Sequence, residues 1–196
     1  MKQIVFASNN PHKLRELREL AGADMAILSL DDIGCHDDIP ETADTFEGNA
    51  LLKVRWVKER YGYDCFADDS GLEVDALGGE PGVRSARYAG EGHDSAANNA
   101  KLLSRLSGTT DRRARLRTAI ALLAGNDEPR FFNGSVEGEI LTEAHGEGGF
   151  GYDPLFRPLG WNKTFAEATP DEKNAVSHRG NAVRLLMDFL SQQPWQ

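Results

Sequence analysis

The stretch KQIVFASNNPHKLRELRELAGADMAILSL (2–30) constrains the fold more than any other part of this chain. KQIVFA (2–7) is a short apolar run that suits a buried strand. PHKLRELRELAG (11–22) places Leu14, Leu17, Leu20 and Ala21 on one helical face. Pro11 suits the first position of that helix, and Gly22 suits its end. MAILSL (25–30) reads as a second strand. A strand, a helix and a strand in this order predict an α/β fold with a sheet between helices.

The rest of the chain keeps this alternation. FEGNALLKVRWVKERYG (46–62) is a helix pattern with Phe46, Ala50, Val54, Val57 and Tyr61 in register, and HDSAANNAKLLSRLSG (93–108) reads as another. RARLRTAIALLAG (113–125) and RFFNGSVEGEIL (130–141) predict two long strands joined by a turn at 126–129, and HRGNAVRLLMDFL (178–190) a closing helix. Arg113, Arg115 and Arg117 alternate, so they share one face of their strand. They could bind an anion, or they could form an exposed sheet face or the rim of a partner contact. No repeat, low-complexity tract or linker interrupts residues 1–196, which predicts a single continuous domain.

Composition narrows the function classes. Thirty-one acids against 22 bases give a net charge of −9, which argues against general attraction to nucleic acid. An anionic partner would need a local cluster of bases, with a metal ion beside it. The longest apolar run, AIALLA (119–124), falls far short of the about 20 residues a membrane-spanning helix needs. IVFA is too short for a signal sequence and runs straight into polar residues. Two cysteines, Cys35 and Cys65, make neither a disulfide framework nor a zinc motif, so the expected compartment is the reducing cytoplasm.

Several short stretches carry groups fit for chemistry. FADDSG (66–71) sets Asp68 beside Asp69 between two strand-like pieces, DCFA (64–67) and GLEVDA (71–76). Asp, Ser and Gly all favour turns, so a turn is one reading. If the chain stays extended there, the two carboxylates point to opposite faces and at most one enters a given cleft. SNNPHK puts Ser8, Asn9, Asn10 and Lys13 at a helix N-terminus after a strand. Free N–H groups and the helix dipole favour an anion at such a place, although Asn or Ser can also simply cap the helix. The acid-rich segment 31–47 holds seven acids and no lysine or arginine, which reads as a solvated loop able to lend a carboxylate to a metal. Lys53 borders the apolar face of its helix, where a surface position is the ordinary expectation. In HGEGGFGYDP (145–154), glycines flank Phe150, whose ring could lie against a planar base or pack into the core. AVSHRG (175–180) sets His178 and Arg179 in the first turn of the last helix, where the dipole disfavours cations.

Taken together, SNNPHK (8–13), ETADTFEGNALLK (41–53), ADDSGLEVDALGGEPGVRSARYAG (67–90), GGFGYDPLF (148–156) and EKNAVSHRG (172–180) resemble the inosine triphosphate pyrophosphatase family. The resemblance runs in family order from residue 8 to 180. It implies Mg²⁺-dependent hydrolysis of non-standard purine nucleoside triphosphates (ITP, dITP, XTP) to the monophosphate and pyrophosphate. It also implies an elongated mixed sheet flanked by helices, two lobes with a central active-site cleft, and a homodimer. By motif position, Ser8, Asn9, Asn10, Lys13 and Lys53 would hold phosphates. Asp69 would be general base or metal ligand, with Asp68 and Glu41 assisting at the metal and Ser70 touching substrate. Phe150, Gly151, Tyr152, Asp153, Lys173, His178 and Arg179 would line the base pocket. Two other readings remain at this stage: a related pyrophosphatase acting on other modified bases, and a nucleotide-binding regulator without catalysis.

Overall fold

A computed structural model describes residues 2–23, 25–126 and 128–192. Six strands, β1 (Lys2–Phe6), β2 (Met25–Leu28), β3 (Cys65–Val74), β4 (Arg113–Leu123), β5 (Arg130–Ile140) and β6 (Phe156–Pro158), form one sheet in the order β2-β1-β3-β4-β5-β6. β1 runs parallel to β2 and β3, whereas β5 and β6 are antiparallel, so the sheet is mixed, as expected. The helices are α1 (Pro11–Ala21), α2 (Phe46–Tyr61), α3 (Ser95–Arg105), α4 (Pro170–Val176) and α5 (His178–Gln192). None of them is long and apolar enough to cross a membrane, among the described residues.

The chain divides into two compact units. One takes in the residues up to Asp69, Thr118–Gly134 and those from Gly180 on, and the other takes in Ser70–Arg117 and Ser135–Arg179. In the first unit the two-residue period of the strands sorts side chains into two cores. Ile4, Phe6, Phe66, Ile120 and Leu122 pack with Leu17 of α1 and Ala182, Val183, Leu186 and Leu190 of α5. Their neighbours Val5, Ala7, Cys65, Ala67 and Ala121 pack on the other face with Ala50, Val54 and Val57 of α2.

In the second unit one core gathers Leu72 and Val74 of β3, Ala114 and Leu116 of β4, Ile140 of β5 and Phe156 of β6 against Leu102 of α3 and Leu106. The alternation of Arg113, Arg115 and Arg117 is the outward counterpart of Ala114 and Leu116. Arg115 pairs with Glu137 and Asp75, Arg117 with Glu73, and Arg113 with Asp111, so this face is a lattice of ion pairs.

Two expectations need correction, and two elements were not anticipated. The Asp68-Asp69 pair does not end a strand or make a turn: β3 runs unbroken from Cys65 to Val74. α4 and β6 occupy segments that show no helical or strand period in the sequence. The third helix is shorter than 93–108, beginning at Ser95 behind an Asp94 cap and ending at Arg105. Of the predicted 126–129 turn, Asp127 lies outside the described residues.

Candidate active site

The groups singled out in the sequence gather in two clusters, one in each unit. The first is built on α1, α2 and β3. Asn10 caps α1, its side-chain oxygen accepting from His12 N (3.0 Å) and Lys13 N (3.2 Å), and Ser8 Oγ accepts from Asn10 N (3.1 Å). These bonds fix the SNNPHK turn and leave the Lys13 ammonium to reach Asp68 Oδ1 at 3.1 Å. Asn9 is exposed.

Because β3 stays extended, its two aspartates diverge. Asp68 lies on the face of Phe66 and meets α1. Asp69 lies on the face of Ala67 and meets α2, where its Oδ2 accepts from Asn49 Nδ2 at 3.1 Å. Lys53, one helical turn beyond Asn49, is buried rather than on the surface. It donates to the Asp68 carbonyl oxygen and pairs with Glu41 Oε1 at 2.9 Å. Glu41 thus brings the acid-rich 31–47 loop to the same cluster.

The charges in this cluster set one another's protonation. Burial by itself would lower the Lys53 pKa, but Glu41, Asp68 and Asp69 outweigh it and hold the amine above its ordinary value. Burial works against ionised Glu41 too, yet Lys53 and then Lys13 bring its pKa below the usual range. Asp69 behaves differently. Burial pushes it up to about 6, because the two lysines only partly offset the loss of water. A carboxylate short of positive charge, inside a cluster that already holds two lysines, is suited to a further cation or to a proton.

The second cluster is built on the 145–154 loop, α4 and α5. Thr169, Pro170 and Glu172 form a capping box with proline at the first position, which starts α4 and sets Lys173 inward. Lys173 Nζ pairs with Asp153 Oδ2 at 2.8 Å, both side chains being only 6% exposed. The same oxygen accepts from Phe150 N at 3.0 Å, closing the glycine-rich loop on itself. Lys173 Nζ lies 4.6 Å and Arg179 Cζ 5.4 Å from the centre of the half-buried Phe150 ring. His178 and Arg179 are buried, and Arg179 Nη2 donates to Ser70 Oγ at 3.2 Å. Tyr152 sits deeper, in the apolar core, and donates its hydroxyl to Ser85 O at 2.7 Å. Gly151 accepts through its carbonyl from Asn99 Nδ2 at 3.1 Å.

The loop depends on Gly149. It sits at φ +65°, and a Cβ there would fall 2.1 Å from Asp153 Oδ2. Gly149→Ala therefore displaces the carboxylate that holds both Phe150 N and Lys173. The left-handed backbone alone costs about 1–2 kcal/mol for an L-residue, and the clash adds to it. Urea denaturation of this variant should show a loss of at least that size, and an unchanged midpoint would mean that the loop rearranges without cost.

A profile of the Ham1 family matches residues 4–189 of the chain. The chain belongs to the Ham1 family. Its relatives include the dITP/XTP pyrophosphatase of Flavobacterium psychrophilum, 52% identical over 96% of this chain and 98% of the relative. The enzyme of the same name from Porphyromonas gingivalis is 53% identical over 97% and 98%. Among solved structures, the Staphylococcus aureus Ham1 protein matches with a TM-score of 0.88 at 43% identity, covering 97% of this chain and 98% of that one. A HAM1 protein from Coxiella burnetii matches with a TM-score of 0.90 at 39% identity, covering 98% and 100%. The α/β fold with its mixed sheet is therefore the Ham1 fold. Both clusters lie within the matched span.

Asn49 and Asn99 had no place among the residues picked out by motif, although each holds a segment carrying predicted site residues. Asn49 was within reach of a helical-wheel argument. Asn49 and Lys53 lie four residues apart on α2, so they share a face.

Proposed function

We propose that this chain hydrolyses non-standard purine nucleoside triphosphates (ITP, dITP and XTP) to the nucleoside monophosphate and pyrophosphate, with Mg²⁺ as cofactor. The observation that carries the proposal is the acid–lysine cluster of Asp69, Asp68, Glu41, Lys13 and Lys53, in a chain more than half identical to proteins named for this activity. A cytoplasmic homodimer is part of the same reading.

The residues suit Mg²⁺. Asp69 and Glu41 offer hard carboxylate oxygens, and the raised Asp69 pKa marks a carboxylate that a cation would relieve. Among the described residues no three acidic, histidine or cysteine side chains could hold a metal alone. That agrees with an ion that binds through one or two carboxylates and takes its remaining ligands from substrate phosphates and water. When bound, Mg²⁺ would neutralise charge on the triphosphate and polarise the phosphorus under attack.

The chain's own groups do the rest. Lys53, whose amine is held above its ordinary value, and Lys13 beside it offset charge on the phosphates, chiefly on the departing pyrophosphate. Ionised Asp69 orients a water molecule toward the α-phosphorus and accepts its proton as the new O–P bond forms. The bond from the α-phosphorus to the bridging oxygen breaks, and pyrophosphate leaves with that oxygen. In the second cluster, Lys173, His178 and Arg179 would present donors and Phe150 an aromatic face to the base. Hypoxanthine and xanthine offer a 6-oxo acceptor to such donors. Adenine offers a 6-amino donor instead, which leaves buried donors unpaired and supports strong rejection.

The test is a product assay with ITP, XTP, dITP, GTP, ATP and dTTP, with and without Mg²⁺. Pyrophosphate with IMP or XMP, little from ATP, and none without metal is the expected result. Orthophosphate with a diphosphate product would mean cleavage at another bond, and tight ITP binding without hydrolysis would mean a regulator.

A further inference from the structure

The loop that brings Glu41 and the strand that brings Asp69 are far apart in the chain, yet one amide touches both. Asn49 is 1% exposed. Its Oδ1 accepts from Ala43 N at 2.9 Å, two residues beyond Glu41, and its Nδ2 donates to Asp69 Oδ2 at 3.1 Å. The approach of loop to helix is tight around it: a Cβ at Gly48 would lie 2.7 Å from Ala43 Cβ and 2.9 Å from Thr45 Oγ1. Further along the loop, Asp37 Oδ2 accepts from Trp56 Nε1 at 3.2 Å and Tyr61 Oη at 3.3 Å, so α2 grips the segment at a second point.

From this geometry we infer that Asn49 is a positioning residue for Asp69, an inference that rests on the functional reading above. An amide can be oriented by one bond while it acts through the other. Ala43 N takes the oxygen end, which commits the NH₂ end to Asp69. Donation to Oδ2 stabilises the ionised carboxylate and fixes its plane, directing Oδ1 to the water or cation it serves. An uncharged donor does this without adding a third full positive charge beside Lys13 and Lys53. The same side chain sets the spacing between the Glu41 loop and Asp69, so the two carboxylates keep one separation. Groups held this way contribute to the rate and little to ground-state affinity.

The experiment compares Asn49→Ala and Asn49→Asp with the parent and with Thr45→Ala, which removes the Thr45 Oγ1 bond from Gly48 N (3.0 Å) that starts the same helix. Steady-state pyrophosphate release from ITP gives kcat and KM, and thermal melts report the fold. Both Asn49 variants should lose about 100-fold in kcat, the scale expected for a misplaced catalytic group, with KM within about threefold of the parent. Thr45→Ala should lower the melting temperature and keep kcat. Asn49→Asp is nearly isosteric and still accepts from Ala43 N, so it decides alone should the alanine variant not fold. A kcat within threefold of the parent in a folded Asn49 variant overturns the inference. So does a kcat loss matched by Thr45→Ala, which would make Asn49 a structural clip only. A parent that releases no pyrophosphate sinks the functional reading itself, which is a separate and recognisable failure.

Discussion

Asp69→Asn should abolish turnover and, at pH 8 without metal, make the protein more stable. The first effect follows from its assigned role: a positioned general base contributes about 10²–10⁴-fold, and asparagine cannot accept the proton. The second follows from burial, which raises the Asp69 pKa from 3.8 to about 6 in the folded chain. Below pH 3.8 the carboxyl is protonated in both folded and unfolded states. Between 3.8 and 6 the unfolded chain releases the proton while the folded chain keeps it, so stability falls as pH rises. Above 6 the loss is complete and amounts to about 3 kcal/mol, because a tenfold change in proton affinity is worth about 1.4 kcal/mol. Asparagine never ionises and escapes that loss, while its side-chain oxygen can still accept from Asn49 Nδ2. Urea denaturation in a chelating buffer should therefore favour the variant at pH 8, by a margin that closes toward pH 4. A variant less stable than the parent at pH 8 would show that Lys13 and Lys53 already compensate the buried charge.

The same raised pKa predicts the parent's pH–rate profile. Asp69 must be ionised to act, so where Mg²⁺ arrives with the nucleotide and the free enzyme is metal-free, kcat/KM for ITP should rise with pH through about 6, since this quantity reports the free enzyme. A profile flat from pH 5 to 8 would remove Asp69 as the titrating base.

Buried charge held in place by distant residues also explains what could be read from the sequence. The β-α-β opening and α2 are written in local periodicity, and they stand where the pattern puts them. The long β3 strand is not. Asp68, Asp69, Ser70 and Gly71 are poor strand residues, and what keeps them extended comes from distant parts of the chain. Lys13 lies 55 residues before Asp68, and Asn49 lies 20 before Asp69. Lys53 shows the same limit, because its burial is made tolerable by Glu41 and the Asp68 carbonyl, neither of which its own helix reveals. α4 failed for another reason. Its capping box is legible in TPDE, but seven residues are too few to establish a helical period. The motifs named these side chains, and pairing them needed the fold.

The Lys173–Asp153 pair gives the largest expected effect on stability. Lys173→Met keeps an unbranched side chain of similar bulk but takes the ammonium away from the buried Asp153 carboxylate. Removing one member of a buried pair costs about 3–5 kcal/mol. Lys173→Met combined with Asp153→Asn removes both charges of the pair, and the new side-chain oxygen can still accept from Phe150 N. The double variant should therefore regain most of the loss, and a double-mutant cycle by urea denaturation measures the coupling. If single and double variants are equally unstable, the loss comes instead from the Lys173 contacts with the Phe150 and Phe165 rings, at 4.6 and 5.9 Å. If the double variant is stable, it separates folding from recognition. It would carry the loop in place without the Lys173 donor, so its KM for ITP should rise while its discrimination against ATP shrinks. A pair needed for the fold alone would leave that discrimination untouched.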